Sequence, residues 1–224
     1  MINWKNLYEK LSDMNRIVLS THENPDGDGL GCAYAMHHIA KKMNIESKII
    51  TATKFSKQYN FLNQDNCFEL YDYDIHYNWI KEADAAFIFD VGDFVRLRDV
   101  GRALTENKIY TFNIDHHPSL KNSSFNENYV DTAAAATGEM IYEFIKKNEI
   151  NFTKDEAIGV YTAIMTDTGS FRHSNTNSNC HKIAMECIEL GVNSSRVYQS
   201  IYENRSIAQV KILSELSKNL NFEL

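Results

Sequence analysis

Two apolar runs that each close on an acid constrain this chain more than any other feature. Ala85-Ala-Phe-Ile-Phe89 and Lys108-Ile-Tyr-Thr-Phe-Asn-Ile114 are apolar on both faces. Strands of that kind are buried from both sides, as happens in a parallel sheet covered by helices. The first run ends at Asp90 and the second at Asp115. A carboxylate emerging from a water-poor strand end is costly unless something positive meets it.

The rest of the pattern agrees with that frame. Arg16–Thr21, Ser47–Thr53 and Phe68–Tyr71 read as further strands, with a helix over Tyr34–Met43 entered through a Gly-rich turn. Such alternation is the signature of βαβ units. The second half reads as helical. Asp131-Thr132 can cap a helix through Met140 and Ile145, and Thr153-Lys-Asp-Glu156 forms a capping box before Ala157–Thr166. Asn177-Ser178 can start a helix that ends near Gly191, and Arg205–Leu220 is amphipathic, with Ile207, Val210, Leu213 and Leu216 as its apolar positions. The expected fold is α/β, an open, mainly parallel five-stranded sheet flanked by helices.

With 224 residues, 43% of them apolar and 24% charged, the chain can build one substantial domain. Its formal charge of −7 and lack of a basic stripe argue against duplex DNA binding. If it handles phosphate, the positive charge must come from metal ions or a few placed basic residues. Arg172 and His173 are the best candidates for a substrate contact, with Arg96, Arg98, Arg102, Lys54 and Lys57 behind them. The first residues are too polar for a secretory signal, and no apolar run approaches the ~20 residues that cross a bilayer. A cytoplasmic protein without membrane contact is expected. Cys32, Cys67, Cys180 and Cys187 form no C-x-x-C pair and read as buried thiols.

Acids and imidazoles gather at the ends of elements. His22, Asp26 and Asp28 share one Pro/Gly-containing loop, and Asp115-His116-His117 follows a buried strand. Asp167 closes a helix, where the dipole disfavours a carboxylate by roughly 0.3–1 kcal/mol and a cation would reverse the sign. Ligands of open parallel sheets bind beyond the carboxyl ends of the strands, so these segments can meet on one rim. Each group also has an ordinary reading. Asp26 and Asp28 could cap a helix or make Asx turns, and Asp90 and Asp167 could be solvated or turn-forming. Taken together, they point to a dinuclear site for divalent metals. His37-His38, inside a helix, reads as structural.

These residues resemble the DHH phosphoesterase superfamily, named for the triplet found here at Asp115 to His117. The H-x-x-P-D-x-D loop (His22, Pro25, Asp26, Asp28), Asp90 and Thr166-Asp-Thr-Gly169 match it over nearly the whole chain. Thr21–Gly31 and Ala136-Thr-Gly-Glu139 are most similar to its bifunctional nanoRNase (oligoribonuclease)/pAp phosphatase branch. The resemblance implies two divalent ions, usually Mn²⁺. His22 and Asp26 would hold one, and Asp28, His116 and Asp167 the other, with Asp90 bridging. Asp115 would orient an imidazole, and His117 would face the scissile phosphate, with His117, Asp90 and His116 carrying the catalysis. The implied activity is hydrolysis of short oligoribonucleotides or pAp by a metal-activated water. Pyrophosphatase and cyclic- or linear-dinucleotide phosphodiesterase activities of the same superfamily are the alternatives, and an idle metal-binding, nucleotide-sensing module is the non-enzyme alternative. The family's C-terminal substrate-binding domain is expected to have no counterpart in these residues. Residues 1–203 are therefore expected to form the catalytic domain and 204–224 an interdomain-type helix, whose apolar face could support a homodimer.

Overall fold

The computed structural model describes residues 2–118, 124–204 and 206–218. Its sheet is assembled from β1 (Arg16–Thr21), β2 (Glu46–Thr51), β3 (Phe68–Leu70), β4 (Ala85–Phe89), β5 (Tyr110–Asp115) and β6 (Glu127–Val130). All are parallel, in the order β3-β2-β1-β4-β5-β6. The sheet therefore has six strands, one more than the five expected. The extra strand, β6, is a short edge strand in which only Tyr129 is buried, so it lacks the apolar run that marks β4 and β5.

Both faces are covered, as the two-sided apolar runs predict. Ile17, Leu19, Phe87, Phe89 and Phe112 pack into a core shared with α1 (Trp4–Ser12), α2 (Gly27–Lys42), α5 (Thr137–Lys147) and α6 (Lys154–Asp167). Val18, Ile50, Ala86 and Ile88 point the other way, against α3 (Tyr73–Lys81) and α4 (Arg98–Glu106). The described chain continues through α7 (Ser178–Glu189), α8 (Ser194–Tyr202) and α9 (Ile207–Lys218).

Several local readings hold and others need correction. Thr153 and Glu156 form the capping box of α6, and Asn177 caps α7. Asp131 accepts a hydrogen bond from the Ala133 amide in a turn, and the helix it was expected to cap begins only at Thr137. The last helix covers Ile207–Lys218; Arg205 and Leu220, the expected ends, lie outside the described residues. Ile207, Val210, Leu213 and Leu216 of α9 are exposed. All four cysteines are buried free thiols. No helix among the described residues is long and apolar enough to cross a membrane.

Strand order decides where the site falls. β1 and β4 lie side by side, yet the chain moves outward from them in opposite directions, which opens a crevice at their carboxyl ends. Thr21 pairs with Phe89, and Phe89 with Ile114. The next residues along, His22, Asp90 and Asp115, thus emerge together.

The second determinant is the contact of α2 with α6. The Gly-rich stretch expected to precede α2 is its first turns, because helix α2 starts at Gly27 rather than Tyr34. A Cβ on Gly31 would lie 2.3 Å from the Gly159 carbonyl oxygen, and one on Gly159 would lie 2.4 Å from that of Gly31. Only glycine at both positions lets the backbones approach so closely. Gly138 of α5 likewise abuts Ala163, where an added Cβ would lie 2.4 Å from the Ala163 methyl. This packing sets the distance from the start of α2 to the end of α6. We therefore expect Gly159→Ala to cost about 1–3 kcal/mol by overpacking, read as a lowered urea midpoint, and to weaken divalent-ion binding as well.

Candidate metal centre

Six side chains expected to hold metal converge at the carboxyl end of the sheet. His22 Nε2 lies 3.4 Å from Asp90 Oδ2 and 3.7 Å from Asp26 Oδ2. His116 Nε2 lies 3.3 Å from Asp167 Oδ2, 3.6 Å from Asp28 Oδ2 and 3.7 Å from Asp90 Oδ1. Two triads result, His22–Asp26–Asp90 and Asp28–His116–Asp167, each with ligand atoms within 4.8 Å of one another. The two oxygens of Asp90 face one triad each. A third grouping, Asp90–His116–His117, satisfies the same geometry.

Each side chain is placed by its own element. Asp26 is the N-cap of α2, and its Oδ1 accepts from the Asp28 and Gly29 amides. The capping and ligand readings are thus compatible, since Oδ2 is left facing His22. Those two amides are used by Asp26 and are not free to meet an anion. Asp28 is fully buried, with Oδ2 accepting from the Thr137 amide at 2.7 Å and Oδ1 from the Gly138 amide at 2.9 Å. Its charge therefore meets the first amides of α5, where the helix dipole favours an anion. Asp90 sits just past β4 in a left-handed conformation, φ +61°. Such a backbone costs a non-glycine residue about 1–3 kcal/mol and tends to persist where function requires it. Asp167 is the last residue of α6, as expected.

The histidines are oriented by carbonyls and a carboxylate. His22 Nδ1 is 2.7 Å from the Glu23 carbonyl oxygen. A carbonyl can only accept, so Nδ1 carries the proton and Nε2 is presented to the acids. His116 Nδ1 faces the Ala134 carbonyl oxygen at 3.3 Å, which orients its Nε2 in the same way. Asp115 does orient an imidazole, but it is that of His117: Oδ1 lies 2.9 Å from His117 Nδ1 and accepts from the His117 amide. His117 is about half exposed at the mouth of the site, 3.2 Å from Asp90 Oδ1.

Electrostatics show what the cluster is suited to hold. Among the described residues, the ion-pair partners of Asp26, Asp28, Asp90, Asp115 and Asp167 are His22, His116 and His117, with no lysine or arginine. Burial, with Asp90 and Asp167 adding to it, raises the Asp28 carboxyl well above its usual range. Burial and the charge of Asp90 lift Asp167 to about 6, against the opposing pull of His116. Burial works against the charge on His22, yet Asp26 and Asp90 raise it to about 9. Asp115 and Asp90 together hold His117 at about 10. For Asp90 itself, burial pushes the carboxyl up, but His117 and His22 more than offset it and bring it down. The upward shifts of Asp28 and Asp167 mark a surplus of negative charge that a cation between them would relieve. Asp90 Oδ1 and His116 Nε2 are buried without any hydrogen-bond partner. Carboxylates plus imidazoles with orphaned atoms are a donor set for divalent ions such as Mn²⁺.

The proposed substrate contacts are placed less decisively. Arg172 Nε donates to the Gly169 carbonyl, and the His173 ring lies over Gly169, where a Cβ would be 2.2 Å from Nε2. Both thus fold the turn that follows Asp167. That turn keeps Gly169, Ser170 and Phe171 at φ +55°, +62° and +63°. A bulky residue such as Phe171 is a genuine outlier there. Of the other basic residues considered for phosphate, Arg98 is engaged by Glu23 and Arg102 by Asp99. Sequence reasoning missed Asn175, whose Nδ2 donates to the carbonyls of Ala135 and Asp167 and ties the two halves of the rim together. It lies in an unremarkable polar stretch, Ser174-Asn-Thr-Asn177, that carries no signal. His37 and His38 lie away from this cluster, with His37 Nδ1 2.9 Å from Ser47 Oγ and His38 ringed by Tyr34.

A profile of the DHH family, N-terminal domain, matches residues 16–164. The chain belongs to the DHH family. Two DHH relatives carry the name bifunctional oligoribonuclease and PAP phosphatase NrnA. The one from Thermus thermophilus is 29% identical over 178 residues, covering 79% of this chain and 50% of the relative. The one from Bacillus subtilis is 27% identical over 202 residues, covering 89% and 61%. The chain thus spans about half to three fifths of the length of these curated relatives. An exopolyphosphatase-related protein from Bacteroides fragilis shares the fold, with a TM-score of 0.88 at 20% identity over 98% of this chain and 66% of its own.

The DHH centre predicts a contrast between two conservative substitutions. Asp28→Asn points an amide NH₂ at the Thr137 or Gly138 amide and should cost about 1–3 kcal/mol by leaving a buried donor unpaired. Asp167→Asn removes a repelled carboxylate and should leave the ion-free stability unchanged or higher. Urea unfolding without added metal reads both, and equal losses would contradict this account of the two acids.

Proposed function

We propose that this chain carries the catalytic centre of a divalent-metal-dependent phosphoesterase acting on short oligoribonucleotides or pAp. The observation that supports it most is the pair of triads meeting at Asp90, whose acids have no lysine or arginine counter-charge among the described residues. His22 and Asp26 would hold one ion and Asp28, His116 and Asp167 the second, with Asp90 bridging. The donor set fits Mn²⁺, as the family resemblance implies. When bound, such a pair activates a water as nucleophile and neutralises charge on the phosphoryl oxygens.

The chain's own residues supply the rest. His117, half exposed and held protonated between Asp115 and Asp90, can donate a proton to the leaving oxygen or stabilise charge on the phosphoryl group. The Asp115 fork to the His117 amide and ring fixes that imidazole toward the open side. Arg172 and His173, on the turn after Asp167, are proposed to meet the substrate's phosphates. Residues 1–203 would form this catalytic domain, and 204–224 a connecting helix. The names of the Thermus thermophilus and Bacillus subtilis relatives support oligoribonucleotides and pAp as the substrate class.

The test is hydrolysis by this chain, with Mn²⁺, of a dinucleotide, pAp, pyrophosphate and a generic phosphodiester. Turnover of the dinucleotide or pAp above pyrophosphate is expected. Asp90→Asn should reduce it about 10³-fold or more, on the scale of losing a preorganised electrostatic group. A preference for pyrophosphate would overturn the substrate assignment, and full activity in the presence of EDTA would overturn the metal assignment.

A further inference from the structure

Arg98 is a basic residue beside the centre, and its place after β4 suits a phosphate contact. The geometry gives it different work. Its Nε and Nη2 donate to the two carboxylate oxygens of Glu23 at 2.5 and 2.7 Å. This is a bidentate fork, the strongest and most directional of the common ion-pair geometries. Glu23 is the residue whose carbonyl oxygen receives the Nδ1 proton of His22. Its amide in turn donates to the Arg96 carbonyl at 2.8 Å. The corner is completed by the Asn24 amide, which donates to Thr53 Oγ1 at 2.7 Å with Asn24 at φ +50°. The backbone at His22–Asn24 is therefore pinned to the segments that follow β2 and β4.

Arg98 does this from an unfavourable conformation, φ +51° and ψ −126°. Only glycine adopts such angles readily, and other residues need surroundings that enforce them. Leu97 just before it is fully buried, and Asp93 caps the short 3₁₀ segment Phe94–Leu97 through the Val95 amide. The strained residue is thus held from one side by that turn and from the other by Glu23.

We infer that Arg98 and Glu23 are positioning residues for His22: their fork holds the Glu23 carbonyl that directs His22 Nε2 at Asp26 and Asp90. This rests on the metal-centre reading above and adds residues that the ligand triads do not contain. The corresponding principle is well established for metal-bound histidines, whose second nitrogen must be fixed by an acceptor. Here that acceptor is a backbone carbonyl, so the side-chain fork acts one step further out.

The experiment uses Arg98→Met, which keeps the apolar stem, Glu23→Gln, and the exchanged pair Glu23→Arg/Arg98→Glu, with unfolding curves to show that each folds. Two readouts are taken: Mn²⁺ affinity by titration of free Mn²⁺ with EPR, and the ¹H–¹⁵N signal of His22 Nδ1–H in the ion-free protein. Both single variants should lose about 10-fold in Mn²⁺ affinity, within the range for outer-shell partners. The double variant Glu23→Gln/Arg98→Met should lose no more than either alone, and the exchanged pair should recover part of the loss. The His22 Nδ1–H signal should shift or exchange faster in the single variants. Unchanged affinity together with an unchanged His22 signal would overturn the inference, as would a rise in KM alone, which marks Arg98 as a substrate contact. If the wild-type chain binds no Mn²⁺ while the His22 signal still responds to Arg98→Met, the positioning holds and the metal reading fails.

Discussion

Five carboxylates brought to one end of a sheet, with imidazoles as their only ion-pair partners among the described residues, impose the constraint on which the rest of this structure depends. Asp28 and Asp115 are wholly buried and Asp90 nearly so. Their mutual repulsion, in surroundings poor in water, opposes folding rather than assisting it. The fold accommodates the cluster by local means: amides of α5 for Asp28, amides of α2 for Asp26, and protonated His22 and His117 for Asp90. None of these removes the repulsion between the two triads. Divalent cations held among these acids, as proposed above, would supply the positive charge that no lysine or arginine among the described residues provides.

The architecture serves that cluster in two ways. Parallel strands in register bring His22, Asp90 and Asp115 out side by side, at the point where strand order reverses. The glycine contact between α2 and α6 then brings Asp28 and Asp167 together from opposite ends of their helices. The strained residues gather around the same rim: Asp90 after β4, Asn24 and Arg98 at the His22 corner, Ser170 and Phe171 after Asp167. Backbone strain there is consistent with a site whose side-chain positions matter more than local comfort.

Much of this was legible in the sequence because buried parallel strands are written in unmistakable apolar runs, and because acids at their ends have few uses. Five of the six strands, His22, Asp90 and the Asp115–His117 triplet follow from that pattern, whereas Asp26, Asp28, Asp167 and the capping box of α6 are read from their own loop and helix-end signals. Other elements were illegible for definite reasons. Edge strand β6, Glu127-Asn-Tyr-Val130, is half polar and buries little. The first turns of α2 are rich in glycine, which disfavours a helix by propensity, yet glycine is what the contacts with Thr21, Thr166 and Gly159 require. Asp115 could be seen to orient an imidazole, but which of two adjacent histidines depends on a ring rotation that spacing cannot encode. Arg98 read as a free cation because its partner, Glu23, is 75 residues away in the chain.

The central claim is that Asp90 is shared by two cations, and anomalous diffraction from a crystal of this chain grown with Mn²⁺ tests it most directly. The account predicts two anomalous peaks roughly 3.5–4 Å apart, one on each side of the Asp90 carboxylate. A single peak elsewhere on the surface, or a lysine or arginine swung into the cluster with no peak at all, would contradict it.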